Sequence, residues 1–254
     1  MQATWNYTKL ADAYIKRPDY SAAAIDKMCS VMGVTSNSKI CDIGAGAGHL
    51  TIELGKRDTS VNAVEPNDAM RENGIKRTEK FKNINWSKGT GEQTNQKDNQ
   101  FDAVTFGSSF NVCDQKIALQ ESLRICKSGA WFACMWNHRD LDDPIQKNIE
   151  KIIKTNLPNY DYGLRRQDQE PILKSSGLFE SIEFIDGNVS HQQSIDECVE
   201  AWRSHGTLHR QANEDDKLFN KIISEIETYL RSLNMQSITI PYVTRIWVAK
   251  FLKK

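Results

Sequence analysis

The sequence predicts an α/β fold, a mostly parallel sheet with helices on both faces. Two observations carry the prediction. Strand-like and helix-like segments alternate from Lys39 to the helix begun at Pro144. One of those strands runs through a glycine cluster straight into a helix and on to a second strand, which is a βαβ unit.

In order, Ser21 can cap a helix whose apolar positions Ile25, Met28, Cys29 and Met32 recur at helical spacing, with Gly33 as its stop. Lys39 to Ile43 is a short buried strand, followed by Gly44-Ala45-Gly46-Ala47-Gly48 and a helix from His49 to Gly55. Ser60 to Glu65 is the second strand, closed by Pro66 and followed by a helix from Asp68. Asn83 to Ser87, Phe101 to Phe106 and Ala130 to Trp136 read as strands three to five, with a helix over Ile117 to Cys126. Asp143 caps the helix begun by Pro144. Ser181 to Asp186 is a sixth strand and Tyr242 to Phe251 the last. Between them lie a helix opened by the capping box Ser194-x-x-Glu197 and a second carrying Leu218, Ile222, Ile226, Tyr229 and Leu233 on one face.

The 254 residues carry 33 Lys+Arg against 33 Asp+Glu. That balance disfavours a polyanionic partner, since phosphate-backbone binding rests on an excess of cations, and it favours a small ligand. The six cysteines form no C-x-x-C pair and several lie in strand-like runs, so they read as buried free thiols in a reducing cytoplasm. No run of about 18 apolar residues exists, and the N-terminus lacks a basic region followed by an apolar one, so neither membrane span nor secretory signal is expected. No metal site is expected either. His205 and His209 are spaced to share a helix face, but two histidines without a third ligand read as solvated or pocket-lining.

The motif with most chemistry in it is Asp42-Ile43-Gly44-Ala45-Gly46-Ala47-Gly48, with Glu65 ending the next strand. Glycines let the backbone turn tightly and a ligand approach it, the helix N-terminus points N–H groups outward, and a carboxylate can accept both ribose hydroxyl protons. A nicotinamide fingerprint needs glycine at position 49, where histidine stands.

On these residues the chain resembles the class I S-adenosylmethionine-dependent methyltransferases, in the small-molecule branch that includes trans-aconitate methyltransferase-like enzymes. The likeness extends over Gly89-Thr90-Gly91-Glu92, Phe101 to Phe106, Leu123 to Gly129 with Ser128 in place of a proline, and the arm Tyr14-x-x-Arg17-Pro18-x-Tyr20. It implies a Rossmann-like, seven-stranded sheet with an antiparallel last strand in a single domain. An N-terminal helical arm would span residues 1–33, the core 36–188 and 238–254, and a helical cap 189–237. It also implies S-adenosylmethionine as cofactor, leaving as S-adenosylhomocysteine.

Carried over by motif, Gly44 and Gly46 approach the methionine portion, Glu65 the ribose and Met70 the adenine edge. Thr90, Gly91 and Glu92 flank the adenine amine, Ser108 and Ser109 lie beside the sulfonium, and Arg17 pairs with the cofactor carboxylate. Tyr14, Asp42, Ala45 and Pro66 complete the expected cofactor set. Met70 reads equally well as plain core, and Arg17 as a surface charge.

Many relatives place a His-Trp pair after the fourth strand; here Phe110-Asn111-Val112-Cys113-Asp114 stands there, without a histidine base. Candidate catalytic groups are Asn111, His138 and His209. Phe110, Trp136, Arg139, Trp202, His205 and Tyr242 are candidates to line an acceptor pocket under the cap. This aromatic and basic mixture suits a partly apolar acceptor bearing a carboxylate, although surface charges and core tryptophans would produce the same set. The expected reaction is in-line methyl transfer to an oxygen or nitrogen of a small molecule, by a monomer or homodimer. A methyltransferase for RNA or protein is opposed by the charge balance and by Ser108-Ser109-Phe110-Asn111 standing where an Asn-Pro-Pro-Tyr motif would be. A non-catalytic cofactor-binding protein would carry the same glycine loop.

Overall fold

The computed structural model describes residues 11–213 and 215–253, and within them all side chains but those of Asp12, Ala13 and Leu164. The first ten residues of the expected arm lie outside the described residues. The chain enters through α1 (Ala11–Tyr14) and α2 (Ala22–Val31), whose N-terminus is capped by the Ser21 side chain accepting from Ala24 N–H. The core then alternates as expected: β1 (Lys39–Ile43), α3 (His49–Gly55), β2 (Ser60–Val64), α4 (Asp68–Thr78), β3 (Ile84–Ser87) and β4 (Phe101–Gly107). It continues through α5 (Gln115–Ile125), β5 (Cys126–Arg139), α6 (Pro144–Asn156), α7 (Glu170–Ser175) and β6 (Phe179–Ser194). Asn67, Asp114 and Asp143 cap α4, α5 and α6 by accepting an N–H three residues on.

The cap is α8 (Ile195–Arg203), α9 (Gly206–Gln211) and α10 (Asp216–Ser232), after which β7 (Ser237–Phe251) returns to the sheet. The capping box at Ser194 and Glu197 forms in both directions.

The seven strands lie in the order β3-β2-β1-β4-β5-β7-β6. β1 to β5 pair in parallel, whereas β7 is antiparallel to both β5 and β6. This is the Rossmann-like methyltransferase arrangement. Side chains alternate between its two faces with period two. Cys41, Ile43, Phe132, Cys134, Trp247 and Ala249 pack on one face. Ile40, Met135, Ile246 and Val248 pack on the other, against Ile25 and Met28 of α2. No described helix is long and apolar enough to cross a membrane.

Among the elements that differ from the sequence reading, β6 and α6 bear most on the cap. β6 does not stop at Asp186 but pairs with β7 as far as Ser194. This forms a long two-stranded ribbon, and its outer edge stays largely exposed. α6 does not cover the sheet; Ile149 and Ile153 pack with Trp202, Ile222 and Ile226, so it belongs to the cap layer.

Candidate functional site

The glycine loop follows β1 at the carboxyl end of the sheet, the edge where open α/β sheets bind ligands. Gly44 and Ala45 donate to Val64 O at 2.8 and 3.1 Å, which folds the loop over β2. Gly44 has φ +67°, and a Cβ there would stand 2.4 Å from Ser109 Cβ. Ser109 is fixed in that place because its hydroxyl donates to Ile43 O at 2.6 Å. At Gly46, φ is +57° and a Cβ would approach Met70 Cε to 3.2 Å and Tyr14 Cε1 to 3.6 Å. The bare backbone keeps open the space between loop and arm.

Two carboxylates hold this half. Asp42 is buried, with Oδ2 accepting from Thr51 Oγ1 (2.6 Å) and Oδ1 from Thr105 Oγ1 (3.0 Å). Burial pushes its carboxyl up to about 6, against the opposing pull of those two hydroxyls. Glu65 accepts from Gly46 N–H and from Asn67 N–H, each at 2.8 Å, so both oxygens are pinned beside the loop. Burial raises its pKa, opposed by these two amides. Each of its oxygens keeps lone-pair capacity for a further donor. A pinned acid closing β2 and a loop of glycines and alanines leave room beside them for S-adenosylmethionine.

A cleft of about 720 Å³, solvent at its mouth included, lies above the loop. Tyr14, Arg17, Asp42, Gly44, Ala45, Gly46 and Ser108 line it on one side, and Arg139, His205 and Tyr242 on the other. A second chamber of about 450 Å³ shares Tyr14, Arg17, Ser108 and Arg165 with it and is lined further by Asn111 and Trp136. Ser108 is a non-glycine residue at φ +60°, and its hydroxyl is 2.9 Å from the Tyr20 hydroxyl. Such strain in a residue lining a cleft points toward function.

Other candidates stand elsewhere. Met70 is buried under the loop, and Pro66 follows β2 between the pinned Glu65 and the α4 cap. Thr90 is exposed and accepts from Gln93 N–H. A Cβ on Gly91 would strike Cys113 Sγ at 2.4 Å, and Glu92 accepts from Asp114 N–H at 2.7 Å, tying the turn after β3 to the loop after β4.

Phe110 does not line the cleft. It opens a 3-10 turn that drives its ring into the core, 5.3 Å from both Phe106 and Phe132. His205 and His209 do not share a helix face: His205 is the N-cap of α9 and accepts from Leu208 N–H, while His209 turns to Asp216 at 3.1 Å. His138 points at Arg165 O (2.8 Å), and burial holds its imidazole down at about 3. Trp202 is buried, stacked on His205 and under Arg139.

Sequence reasoning missed Arg165 and, at Asn137, the bonds that hold the arm. Asn137 donates to Asp19 O (2.9 Å) and accepts from Thr244 Oγ1 (2.6 Å), and Thr244 in turn accepts from Ser21 N–H (2.8 Å), so the arm is latched to β5 and β7. Arg165 comes from a 3-10 turn between α6 and α7, and no local pattern marks it.

Comparison with known proteins agrees with this fold. The profile of a methyltransferase domain family matches residues 41–134. The chain is 28% identical over 165 residues to a ubiquinone/menaquinone biosynthesis C-methyltransferase of Zymomonas mobilis, covering 59% of this chain and 68% of that one. It is 23% identical over 244 residues to an uncharacterized methyltransferase of Schizosaccharomyces pombe, covering 93% of each. Among solved structures, the YcgJ protein of Bacillus subtilis superposes with a TM-score of 0.56 at 16% identity, over 92% of this chain and all of that one. Phosphoethanolamine N-methyltransferase 2 of Haemonchus contortus, bound to phosphomonomethylethanolamine and S-adenosylhomocysteine, superposes at 0.51 and 15%, over 91% and 52%. Sheet order and sequence matches converge: the chain is an S-adenosylmethionine-dependent methyltransferase with the Rossmann-like methyltransferase fold, and it is similar to the class I enzymes.

Proposed function

We propose that the chain methylates an oxygen or nitrogen atom of a small-molecule acceptor, with catalysis chiefly by proximity and orientation. The observation carrying this reading is the cleft itself: it is floored by the glycine loop and shares Ser108 with a second chamber lined by Asn111 and Trp136. Matched relatives include a quinone-biosynthesis C-methyltransferase and a demethylmenaquinone methyltransferase of Staphylococcus saprophyticus, whose names denote small-molecule enzymes.

When bound, S-adenosylmethionine supplies a methyl group on a positively charged sulfur that leaves as a neutral thioether. The protein's part is to bind and align. Glu65 accepts the ribose hydroxyls, Gly44 to Gly46 run along the methionine portion, and Met70 with Thr90 to Glu92 border the adenine. Tyr14 and Arg17 close over the loop from the arm. Ser108 sits where the two chambers meet, its hydroxyl beside that of Tyr20, and borders the reacting atoms. Asn111 accepts from Trp136 Nε1 at 2.8 Å, which leaves its amide N–H groups to orient an acceptor. His138 is turned to a carbonyl and His209 to Asp216, so the acceptor brings its own lone pair and no protein base is assigned. Alignment of this kind can supply up to about 7–11 kcal/mol of the barrier.

Titration of S-adenosylhomocysteine into Glu65→Ala by calorimetry should show an affinity weaker by about tenfold or more, the worth of a charge-assisted hydrogen bond. Unchanged affinity would remove the ribose assignment. Methyl-labelled S-adenosylmethionine incubated with the protein and a small-metabolite pool should label a small product; binding without transfer would make the protein a non-catalytic binder.

A further inference from the structure

We infer that the acceptor carries an oxyanion, carboxylate or phosphate, and that Arg139, Tyr242 and Arg165 form the subsite that holds it. This rests on the methyl-transfer reading and adds to it the class of acceptor. Arg139 ends β5, and Tyr242 is its antiparallel partner on β7, so the two side chains leave the same face side by side. The guanidinium carbon of Arg139 lies 4.0 Å from the centre of the Trp202 ring and 5.7 Å from that of Tyr242. Aromatic faces cover the flat of the guanidinium and leave its N–H edge as the recognition surface.

Among the described residues, Arg139 Nε and the Tyr242 hydroxyl are both buried without a hydrogen-bond partner, and no carboxylate pairs with Arg139. Both residues line the cleft. Buried donors are paired in the great majority of cases, so two unpaired donors from facing strands mark the place of a ligand acceptor.

The charge around them points the same way. Arg17, Arg139 and Arg165 line one cleft whose sole acidic lining residue among the described residues is Asp42, and both oxygens of Asp42 are taken by Thr51 and Thr105. Arg165 spends Nη2 on Asn137 O at 3.3 Å and, among the described residues, has no carboxylate partner. Burial, then the neighbouring Arg17 and Arg139, pushes it down to about 10. His205 is driven the same way by burial and by Arg165 and Arg139.

A bound cofactor would bring a sulfonium to this cationic wall, and an anionic acceptor balances both. In the sheet order β1-β4-β5, Arg139 stands two strands from the glycine loop, roughly 10 Å. It is therefore set toward the acceptor, while Arg17 stacks on Tyr14 at 4.0 Å near the loop. Trp202 and His205 come from the cap, so the cap closes the subsite.

The test titrates malonate, inorganic phosphate and the neutral malonamide into the full chain, with and without S-adenosylhomocysteine, by NMR or calorimetry. At least one anion should bind and malonamide should not; preference for malonate assigns a carboxylate acceptor, and preference for phosphate a phosphorylated one. Arg139→Gln should weaken anion binding by about tenfold or more, and Tyr242→Phe, which removes one hydroxyl and keeps the ring, by about threefold to tenfold. Affinity for S-adenosylhomocysteine should stay unchanged in both. The proposal is overturned if neither anion binds, if malonamide binds equally well, or if Tyr242→Phe and a folded Arg139→Gln bind as the parent does. It is also overturned if Arg139→Gln loses S-adenosylhomocysteine, since Arg139 would then serve the cofactor. Failure of the parent to bind S-adenosylhomocysteine would instead strike the methyltransferase reading, and the titrations without cofactor would still report on the subsite.

Discussion

The two sides of the cleft treat buried polar groups in opposite ways. On the glycine-loop side, Asp42, Glu65 and Ser109 are each held by named partners before any ligand arrives. On the side formed by the end of β5, the cap and the β6–β7 ribbon, polar atoms are left waiting. Among the described residues, all the buried side-chain polar atoms without a partner, Arg139 Nε and the Tyr242 hydroxyl included, fall between His138 and Tyr242. On the proposed reading, the side that holds the cofactor is completed internally, and the side that reads the acceptor keeps donors for it; leaving them unmet in the free protein costs stability that the ligand restores.

The largest effect that could break this contrast is at Gly44. Gly44→Ala places a Cβ 2.4 Å from Ser109 Cβ at a φ of +67°, and Ser109 is bound to Ile43 O. Strain and overpacking together should cost about 2–5 kcal/mol. Thermal melts should fall accordingly and S-adenosylhomocysteine binding should drop below detection. Near-normal binding in a folded Gly44→Ala would show that the loop side is not preformed.

A second test uses proton linkage at Asp42. Its carboxyl moves from an ordinary 3.8 to about 6 because burial disfavours its charge. The folded pKa therefore lies above the unfolded one. Below about pH 4 both states hold the proton; above that the unfolded chain releases it first, so this group's contribution to stability falls as pH rises through about 6. Asp42→Asn has no such proton. Its stability relative to the parent should rise by about 3 kcal/mol between about pH 4 and pH 7, then level off. A flat difference across that window would show that Asp42 is already compensated, and would sharpen the contrast between the two sides.

The same contrast explains what was legible in the sequence. The segment from Ile40 to Gly48 announces itself because its chemistry is local: apolar residues for a central strand, glycines for positive φ, Glu65 after the next strand. Arg165 announces nothing, because a polar turn acquires meaning only when the fold lays it against Asn137 and His138. Phe110 follows the expected strand and reads as pocket lining, yet a 3-10 turn rotates it into the core. The ribbon beyond Asp186 was invisible for a related reason. An edge strand exposed on both faces shows no apolar alternation, and only pairing with β7 makes His191 to Ser194 a strand.

The smallest effect concerns how independent the two sides are. Ser194 caps α8 by accepting from Glu197 N–H, while Glu197 accepts from Ser194 N–H. α8 carries Ala201, which lines the cleft, and Trp202, on which Arg139 stacks. Ser194→Ala removes one bond of this box and should cost about 1 kcal/mol, or a few degrees in melting temperature for a chain of this size. If the cap serves only the acceptor side, anion affinity should weaken measurably while S-adenosylhomocysteine affinity holds. Parallel loss of both would mean that the cap also closes over the cofactor, and the latch from Ser21 through Thr244 to Asn137 would then join two halves of one binding event.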